Sequence, residues 1–195
     1  AQSQRETCRH ISLFSYEQPG IASLLNALAA DTQPSVLHVF AGRALPDVAR
    51  WLGRDLTIGE TAQRGALSIR VLPLLGHAEY DHLLARCDLN LVRGEDSFVR
   101  AQWAGKAMLW HIYPQDEDTH LIKLTAWQQR VEIVTTAAGT PMPASWARML
   151  AFWNDTPAIA NARITADWVQ FLADLPKIRT AMHSWRESLL AQPDL

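Results

Sequence analysis

Cysteine is scarce in this sequence. Cys8 and Cys87 are the two cysteines among 195 residues, and neither belongs to a paired spacing typical of metal-binding motifs. Two isolated cysteines in a chain of this size indicate reduced thiols rather than a disulfide framework, which favours the cytoplasm. We expect both to be buried as small apolar side chains, because unpaired cysteine usually is.

An excess of charge of one sign is also missing. The 18 Lys and Arg residues nearly balance 20 Asp and Glu residues, and the formal net charge is −2. Proteins that bind nucleic acid usually carry a basic patch or stripe, so we expect neither nucleic acid nor an anionic membrane as partner. No apolar run reaches the roughly 18 residues of a membrane span, and the N-terminus has no apolar signal region. These absences point to small molecules or proteins as ligands.

Several familiar catalytic motifs do not occur. The sequence has no P-loop, no Gly-x-Gly-x-x-Gly, no Gly-x-Ser-x-Gly elbow and no His-Glu-x-x-His zinc helix. His111 and His120 are nine residues apart, on a predicted strand end and a predicted helix, which is a poor spacing for a metal pair. The sequence therefore predicts neither a metal ion nor a cofactor.

The sequence does contain a regular alternation of short apolar strands and amphipathic helices. The predicted strands are 11–14, 35–40, 67–72, 89–92 and 107–112, and the predicted helices are 21–30, 45–52, one that ends near 87, and 98–103. The charged segment 53–65 is expected to be a loop or a short irregular excursion. Beyond residue 115 the apolar residues keep helical spacing only. The pattern predicts one α/β domain, with a Rossmann-like open parallel sheet over about 1–115 and a mainly helical region over about 116–195.

Polar side chains cluster where two predicted strands end. Arg93, Glu95, Asp96 and Ser97 follow one strand, and Tyr113 and Gln115 follow the next. Ligands of open parallel sheets bind beyond the carboxyl ends of the strands. Gly94 permits close approach of the backbone, and the first turn of the following helix offers unpaired N–H groups to an anion.

The residue types at this cluster suit a phosphate and a sugar. The planar fork of Arg93 matches phosphate oxygens, whereas Glu95 and Asp96 accept hydrogen bonds from hydroxyls. A structural explanation is equally compatible with the sequence: Asp96 or Ser97 caps the helix, Glu95 favours its dipole, and Arg93 pairs with Glu95. The residues alone leave both readings open.

The run from Arg93 to Lys106, Arg-Gly-Glu-Asp-Ser-Phe-Val-Arg-Ala-Gln-Trp-Ala-Gly-Lys, and the run from Trp110 to Gln115, Trp-His-Ile-Tyr-Pro-Gln, resemble the EarP family. Its members are bacterial protein-arginine rhamnosyltransferases that modify elongation factor P. The resemblance spans nearly all of this chain but only the C-terminal, donor-binding half of such an enzyme.

The resemblance implies a GT-B glycosyltransferase that uses dTDP-β-L-rhamnose as donor and needs no metal. It implies inverting transfer to an arginine of elongation factor P, with an aspartate base from an N-terminal domain that lies outside this chain, so that this half alone would be inactive. Glu95 would support catalysis by positioning the donor. The candidate substrate-binding residues are Phe14, Tyr16, His77, Tyr80, Arg93, Gly94, Glu95, Asp96, Ser97, Tyr113 and Gln115.

Phe14 and Tyr16 enter this set because they share a face at the carboxyl end of the first predicted strand. Tyr80 and His77 enter it because the loop before their helix would lie near the nucleotide in a doubly wound domain, where either could contact the base. In the EarP family this region resembles an aromatic and glutamine-bearing base pocket; Tyr80 fits that pattern, whereas Leu74 and His77 depart from it. For Phe14 the alternative is simple core packing.

Two other functions are compatible with the sequence. One is a stand-alone nucleotide-binding regulatory module, and the other is a protein-interaction domain without enzymatic activity. The C-terminal helices also raise an expectation about packing. GT-B enzymes usually send a C-terminal helix back to the other domain, so an exposed apolar patch or a crystal-contact dimer is expected around Trp185 and Leu189.

Overall fold

The computed structural model describes residues 8–115, 118–154 and 164–192. It contains a six-stranded sheet in the order β3-β4-β2-β1-β5-β6. The strands are β1 Arg9–Leu13, β2 Ser35–Phe40, β3 Thr61–Arg64, β4 Leu67–Leu72, β5 Leu89–Arg93 and β6 Ala107–His111. The helices are α1 Gly20–Ala30, α2 Leu45–Leu52, α3 His77–Arg86, α4 Asp96–Ala104, α5 Thr119–Ala137, α6 Ala144–Trp153 and α7 Ile164–Leu190.

All strand pairs except β3 with β4 are parallel. The chain moves outwards from β1 through β2 to β4 and then returns to β5 on the other side of β1. Since parallel crossovers are right-handed, this reversal places α1 and α2 on one face of the sheet and α3 and α4 on the other. The predicted Rossmann-like sheet is confirmed, and β2, α2 and β4 have the predicted bounds.

The prediction of a loop over residues 53–65 is wrong at its end. Thr61–Arg64 forms the edge strand β3, which pairs antiparallel with β4. Its side chains are mainly exposed and polar, which is usual at a sheet edge, where polar residues prevent pairing with another chain. The strand therefore has no apolar alternation by which sequence analysis could find it.

The core lies on both faces of the central strands. Every residue of β2 and β6 is buried, as expected for parallel strands covered by helices on both sides. Cys87 is buried as predicted, while Cys8 is partly exposed, and both are free thiols. No helix in the described ranges is both long and apolar enough to cross a membrane.

The expected apolar patch at the end of α7 is wrong for Trp185. That side chain is 5% exposed, and its indole N–H donates to Gln102 Oε1 of α4 at 2.9 Å. Leu189 is half-buried and packs against the same core. Helix α7 finds its partners within this chain, because it contacts α1, α4, α5, α6 and β6.

Candidate functional site

The reversal of strand order brings the carboxyl ends of β1 and β5 together. Leu13 of β1 is paired with Leu91 of β5, and the N–H of Phe14 donates to Leu91 O at 2.9 Å. The residues that follow β1 therefore face those that end β5. A crevice of this kind, where the strand order reverses, is the usual ligand site of open α/β sheets.

Arg93, the last residue of β5, lies across the aromatic residues that follow β1. Its guanidinium carbon is 4.5 Å from the ring centroid of Phe14 and 4.9 Å from that of Tyr16. Across the described ranges Arg93 has neither an ion pair nor a side-chain hydrogen bond, so the pairing with Glu95 that the sequence allowed is not observed. Its planar fork of donors is held by stacking and remains available to an anion.

Gly94 makes the turn between β5 and α4. Its φ of 62° lies in the left-handed region that favours glycine, and a Cβ there would stand 3.3 Å from the Tyr16 hydroxyl oxygen. Its N–H donates to His111 O, and its carbonyl accepts the indole N–H of Trp110 at 2.7 Å. The turn is thus fixed from β6.

Helix α4 begins without a side-chain cap. Glu95 occupies the N-cap position, and no side-chain hydrogen bond caps this terminus. Asp96, which the sequence allowed as a cap, instead pairs with Arg100 one turn along, and Arg100 also binds Asp81 of α3. Ser97 is buried rather than bonded to the helix terminus. The first-turn N–H groups are therefore left for solvent or a ligand.

Tyr16 places a phenol group beside Arg93, and Tyr113 places a second one beside Tyr16. Their ring centroids are 5.5 Å apart, and Tyr113 is 58% exposed. Burial raises the pKa of the Tyr16 hydroxyl, while the positive charges of Arg93 and Arg43 act in the opposite direction. The Tyr16 hydroxyl is therefore protonated at neutral pH and can donate a hydrogen bond.

A buried histidine packs against the ring of Tyr16. The rings of His111 and Tyr16 have centroids 5.2 Å apart, and His111 Nδ1 is 2.9 Å from Ser15 Oγ. The Ser15 hydroxyl donates to Tyr16 O, so the histidine supplies the proton of the second contact. Burial and the charge of Arg93 lower the pKa of His111 to about 4, which keeps the ring neutral at pH 7.

Tyr80 is almost fully buried. It is 8% exposed, with its ring centroid 6.0 Å from that of Phe14 and 5.6 Å from that of Phe40. Burial raises the pKa of Tyr80 to about 12; the hydroxyl lies near Ser97 but forms no hydrogen bond of acceptable geometry. Contact with a base remains a prediction, and the observed role is packing behind Phe14.

The structure thus brings Phe14, Tyr16, Arg93, Gly94 and Tyr113 into one cluster, with Glu95, Asp96 and Ser97 at the start of α4 beside it. His77 and Gln115 are exposed. Within the described part of the chain, neither side chain has a hydrogen bond or ring contact with the cluster.

Sequence analysis missed Arg43 and the pair Ser15 and His111. Arg43 follows the carboxyl end of β2, and its guanidinium carbon is 5.9 Å from the Tyr16 ring centroid. Its position after a predicted strand and Gly42 was the available signal. Contact of His111 with Ser15 depends on the adjacency of β1, β5 and β6, which a single sequence does not reveal.

No group of three or more His, Cys, Asp or Glu side chains in the described ranges could hold a metal ion. His120, one of the two histidines considered in the sequence, accepts the N–H of Gln115 at Nδ1, 3.1 Å away. That contact ties Gln115 to the first turn of α5.

Known proteins resemble this chain in sequence and in fold. A family model described as Elongation-Factor P (EF-P) rhamnosyltransferase EarP matches residues 1–195. A protein-arginine rhamnosyltransferase of Pseudomonas aeruginosa is 42% identical over 188 residues, which are 96% of this chain and 48% of that protein. One from Pseudomonas putida is 40% identical over 187 residues, which are 95% and 47% of the two chains.

A solved structure, reported as the structural basis for EarP-mediated arginine glycosylation of translation elongation factor EF-P, has a TM-score of 0.80 and 36% sequence identity. The match covers 96% of this chain and 57% of that one. The chain spans about half the length of the curated relatives it matches. Since the family model matches its whole length, the chain belongs to the EarP family of elongation factor P rhamnosyltransferases.

Proposed function

We propose that this chain is the donor-binding half of a GT-B glycosyltransferase. The complete enzyme transfers rhamnose from dTDP-β-L-rhamnose to an arginine of elongation factor P, with inversion at the sugar. The family, the names of the relatives and the Rossmann-like sheet support this proposal.

The observation that carries the proposal is an arginine without an anionic partner beside an uncapped helix start. Arg93 lies over Phe14 and Tyr16, and the first-turn N–H groups of α4 have no side-chain cap. Together they offer a cation and backbone donors to a phosphate group. An exposed Glu95 at the same turn offers carboxylate oxygens to the hydroxyls of ribose or rhamnose.

This arrangement suits the chemistry of the leaving group. As the glycosidic bond breaks, negative charge accumulates on the diphosphate, and donors already in place stabilise that charge without reorganisation. Arg93, the N–H groups of α4 and the hydroxyls of Tyr16 and Tyr113 are the proposed donors. This charge stabilisation requires no metal ion.

The acceptor needs a separate group. An arginine guanidinium has an unperturbed pKa above about 12, so an acidic residue must orient or deprotonate it. We assign that role to an aspartate of the other half of the enzyme, in line with the family resemblance. Glu95 then acts through the donor rather than on the acceptor.

The test is nucleotide binding by the full-length enzyme. Thermal-shift titrations with dTDP, UDP and GDP are run on the wild type, on Arg93→Ala and on Arg179→Ala. Arg179 is an exposed control residue on α7. It lines a depression with Arg9 and Asp88 at the opposite edge of the sheet, where the parallel strands begin. Ligand at about 100 times its dissociation constant should stabilise the wild type by roughly 2.7 kcal/mol.

We expect the strongest response to dTDP, its loss in Arg93→Ala and its retention in Arg179→Ala. Equal responses of all three proteins would remove Arg93 from the phosphate site. Binding of dTDP without rhamnose transfer to elongation factor P would favour a regulatory nucleotide-binding module instead. Absence of any nucleotide response would contradict the proposal.

A further inference from the structure

Arg43 is a second arginine at the same edge of the sheet. It follows β2, whose carboxyl end lies beside that of β1, and its side chain is exposed. Its guanidinium carbon is 5.9 Å from the centroid of the Tyr16 ring, and that of Arg93 is 4.9 Å from the same centroid. Two strands thus each contribute one guanidinium to the surroundings of one phenol ring.

Neither arginine is paired with a carboxylate among the residues that the structure describes. Arg43, like Arg93, has no ion pair and no side-chain hydrogen bond in the described ranges, whereas neighbouring Arg50 and Arg100 are paired with carboxylates. Glu95 is the carboxylate whose charge reaches the Tyr16 hydroxyl, where it opposes the effect of the two arginines. The local balance of two cations against one exposed carboxylate favours a ligand with more than one negative charge.

The backbone that carries Arg43 is fixed relative to Tyr16. The N–H of Leu45 donates to Gly42 O at 3.1 Å, which closes the turn around Arg43. Asp47 at the start of α2 accepts the N–H of Gln18 at 3.0 Å, and Gln18 lies in the same loop as Tyr16. This contact ties the loop after β2 to the loop after β1, so the arginine is presented to the site while its side chain remains free to turn.

We propose that Arg43 binds the second phosphate of a nucleoside diphosphate, opposite the phosphate bound by Arg93. The inference rests on the proposed function, because it assigns a further ligand to the same donor. One planar guanidinium engages the oxygens of one phosphate through two parallel hydrogen bonds, so a diphosphate is matched by two arginines. Arg43 after β2 and Arg93 at the end of β5 therefore set the preference for nucleoside diphosphates over monophosphates.

The test compares ligands that differ in phosphate number. Dissociation constants of dTDP, dTMP and thymidine are measured by calorimetry for full-length wild type, Arg43→Ala, Arg43→Lys and Arg54→Ala. Arg54 is a matched control, since it is exposed in the loop after α2 and pairs with Glu60. We expect Arg43→Ala to weaken dTDP on the order of tenfold or more, and dTMP by less than about twofold.

Arg43→Lys should fall between wild type and Arg43→Ala, because it keeps the charge but loses the planar fork. Arg54→Ala should bind all three ligands as the wild type does. Equal weakening of dTDP, dTMP and thymidine by Arg43→Ala would overturn the inference, since the residue would then shape the site in general. Unchanged binding would overturn it alone and leave the proposed function standing, whereas a wild type that binds no dTDP would overturn both.

Discussion

His38 is a basic side chain buried where it cannot readily take a proton. It lies on the central strand β2, is 8% exposed and stacks on His10 of β1 with ring centroids 5.5 Å apart. Burial first, and then the charges of His10, Arg70 and Arg86, lower the pKa of His38 from 6.5 to about 4. The folded protein therefore holds this ring neutral over a pH range in which the unfolded chain protonates it.

The consequence is a pH dependence with a definite sign. Between pH 6.5 and about 4 the unfolded state binds more protons at His38, so the free energy of unfolding falls as the pH is lowered. His111, whose pKa is also about 4, adds an effect of the same sign. Since one pKa unit corresponds to about 1.4 kcal/mol, each histidine contributes on the order of 3 kcal/mol across this window.

Denaturant unfolding of His38→Gln at a series of pH values checks this prediction. Between pH 6.5 and 4.5 the variant should lose less stability than the wild type, while the exposed control His183→Gln on α7 should follow the wild type. Parallel curves for His38→Gln and wild type would show that His38 is protonated in the folded state over this range.

At the scale of single residues, the sequence predicts a site residue where that residue belongs to a recognisable motif. Arg93 and Gly94 were predicted because a glycine turn between strand and helix has a known chemical use. Arg43 was not predicted, since its position after a strand and Gly42 is a weaker signal than a glycine turn that leads directly into a helix. Nothing in the sequence indicated that Tyr80 would pack behind Phe14 and Phe40.

Among the elements, the β3–β4 hairpin depends on one glycine. Gly65 has a φ of 58°, and a Cβ there would collide with the carbonyl oxygen of Ala29 at the end of α1. That carbonyl is close because it accepts the N–H of Ala66 at 3.0 Å. The turn is thus docked on a neighbouring helix by its backbone.

The substitutions Gly65→Ala and Gly53→Ala separate the steric effect of a Cβ from the backbone cost of a positive φ. Gly53 also has a positive φ, 76°, at the end of α2, but a Cβ there would meet no atom within 4 Å. Gly53→Ala should lower the free energy of unfolding only by the left-handed backbone penalty, roughly 1 kcal/mol. Gly65→Ala should lower the free energy of unfolding by about 2 kcal/mol more, because the hairpin must move off the helix. Equal losses in urea denaturation would contradict the steric argument.

The same hairpin shows why elements differ in how well a sequence predicts them. The buried strand β2 reads as Ser-Val-Leu-His-Val-Phe, and its apolar residues gave its bounds correctly. The edge strand β3 reads as Thr-Ala-Gln-Arg, and it exists because β4 offers it a pairing edge. Its formation is a tertiary effect, which local pattern does not contain.

For the whole molecule, Gln102 joins the sheet layer to the C-terminal helices. Its Oε1 on α4 accepts the indole N–H of Trp127 of α5 at 3.1 Å and that of Trp185 of α7 at 2.9 Å. Gln102 is 8% exposed, so this shared acceptor lies inside the protein. Three helices that are distant in sequence therefore meet at one oxygen atom.

Gln102→Leu keeps the volume of the side chain but removes the acceptor. Two indole N–H groups would lose their partner, and each buried unsatisfied donor costs about 1–3 kcal/mol, so we expect a loss of roughly 2–6 kcal/mol. Gln129→Leu on the exposed face of α5 is the control and should change stability little. A loss in Gln102→Leu no larger than in the control would show that the shared acceptor does not stabilise the fold.

The C-terminal helices illustrate what patterning leaves open at this scale. Trp146 and Trp168 are buried, as the helical spacing of the apolar residues beyond residue 115 indicates. That spacing does not tell which surface covers Trp185, for which an exposed patch was expected. The cover is α4, the helix whose start forms the proposed phosphate site, so the C-terminal region braces that helix near its carboxyl end, away from its free N–H groups.

The bond from Trp110 to Gly94 has an optical consequence. The emission of an indole depends on the polarity around its ring and on the hydrogen bond of its N–H group. Trp110 donates that N–H to the carbonyl of the turn at 2.7 Å, and its ring stacks on Phe98 in α4. The indole of Trp110 is therefore hydrogen-bonded to the turn. We expect a ligand in the crevice to change the fluorescence of the protein without any added label.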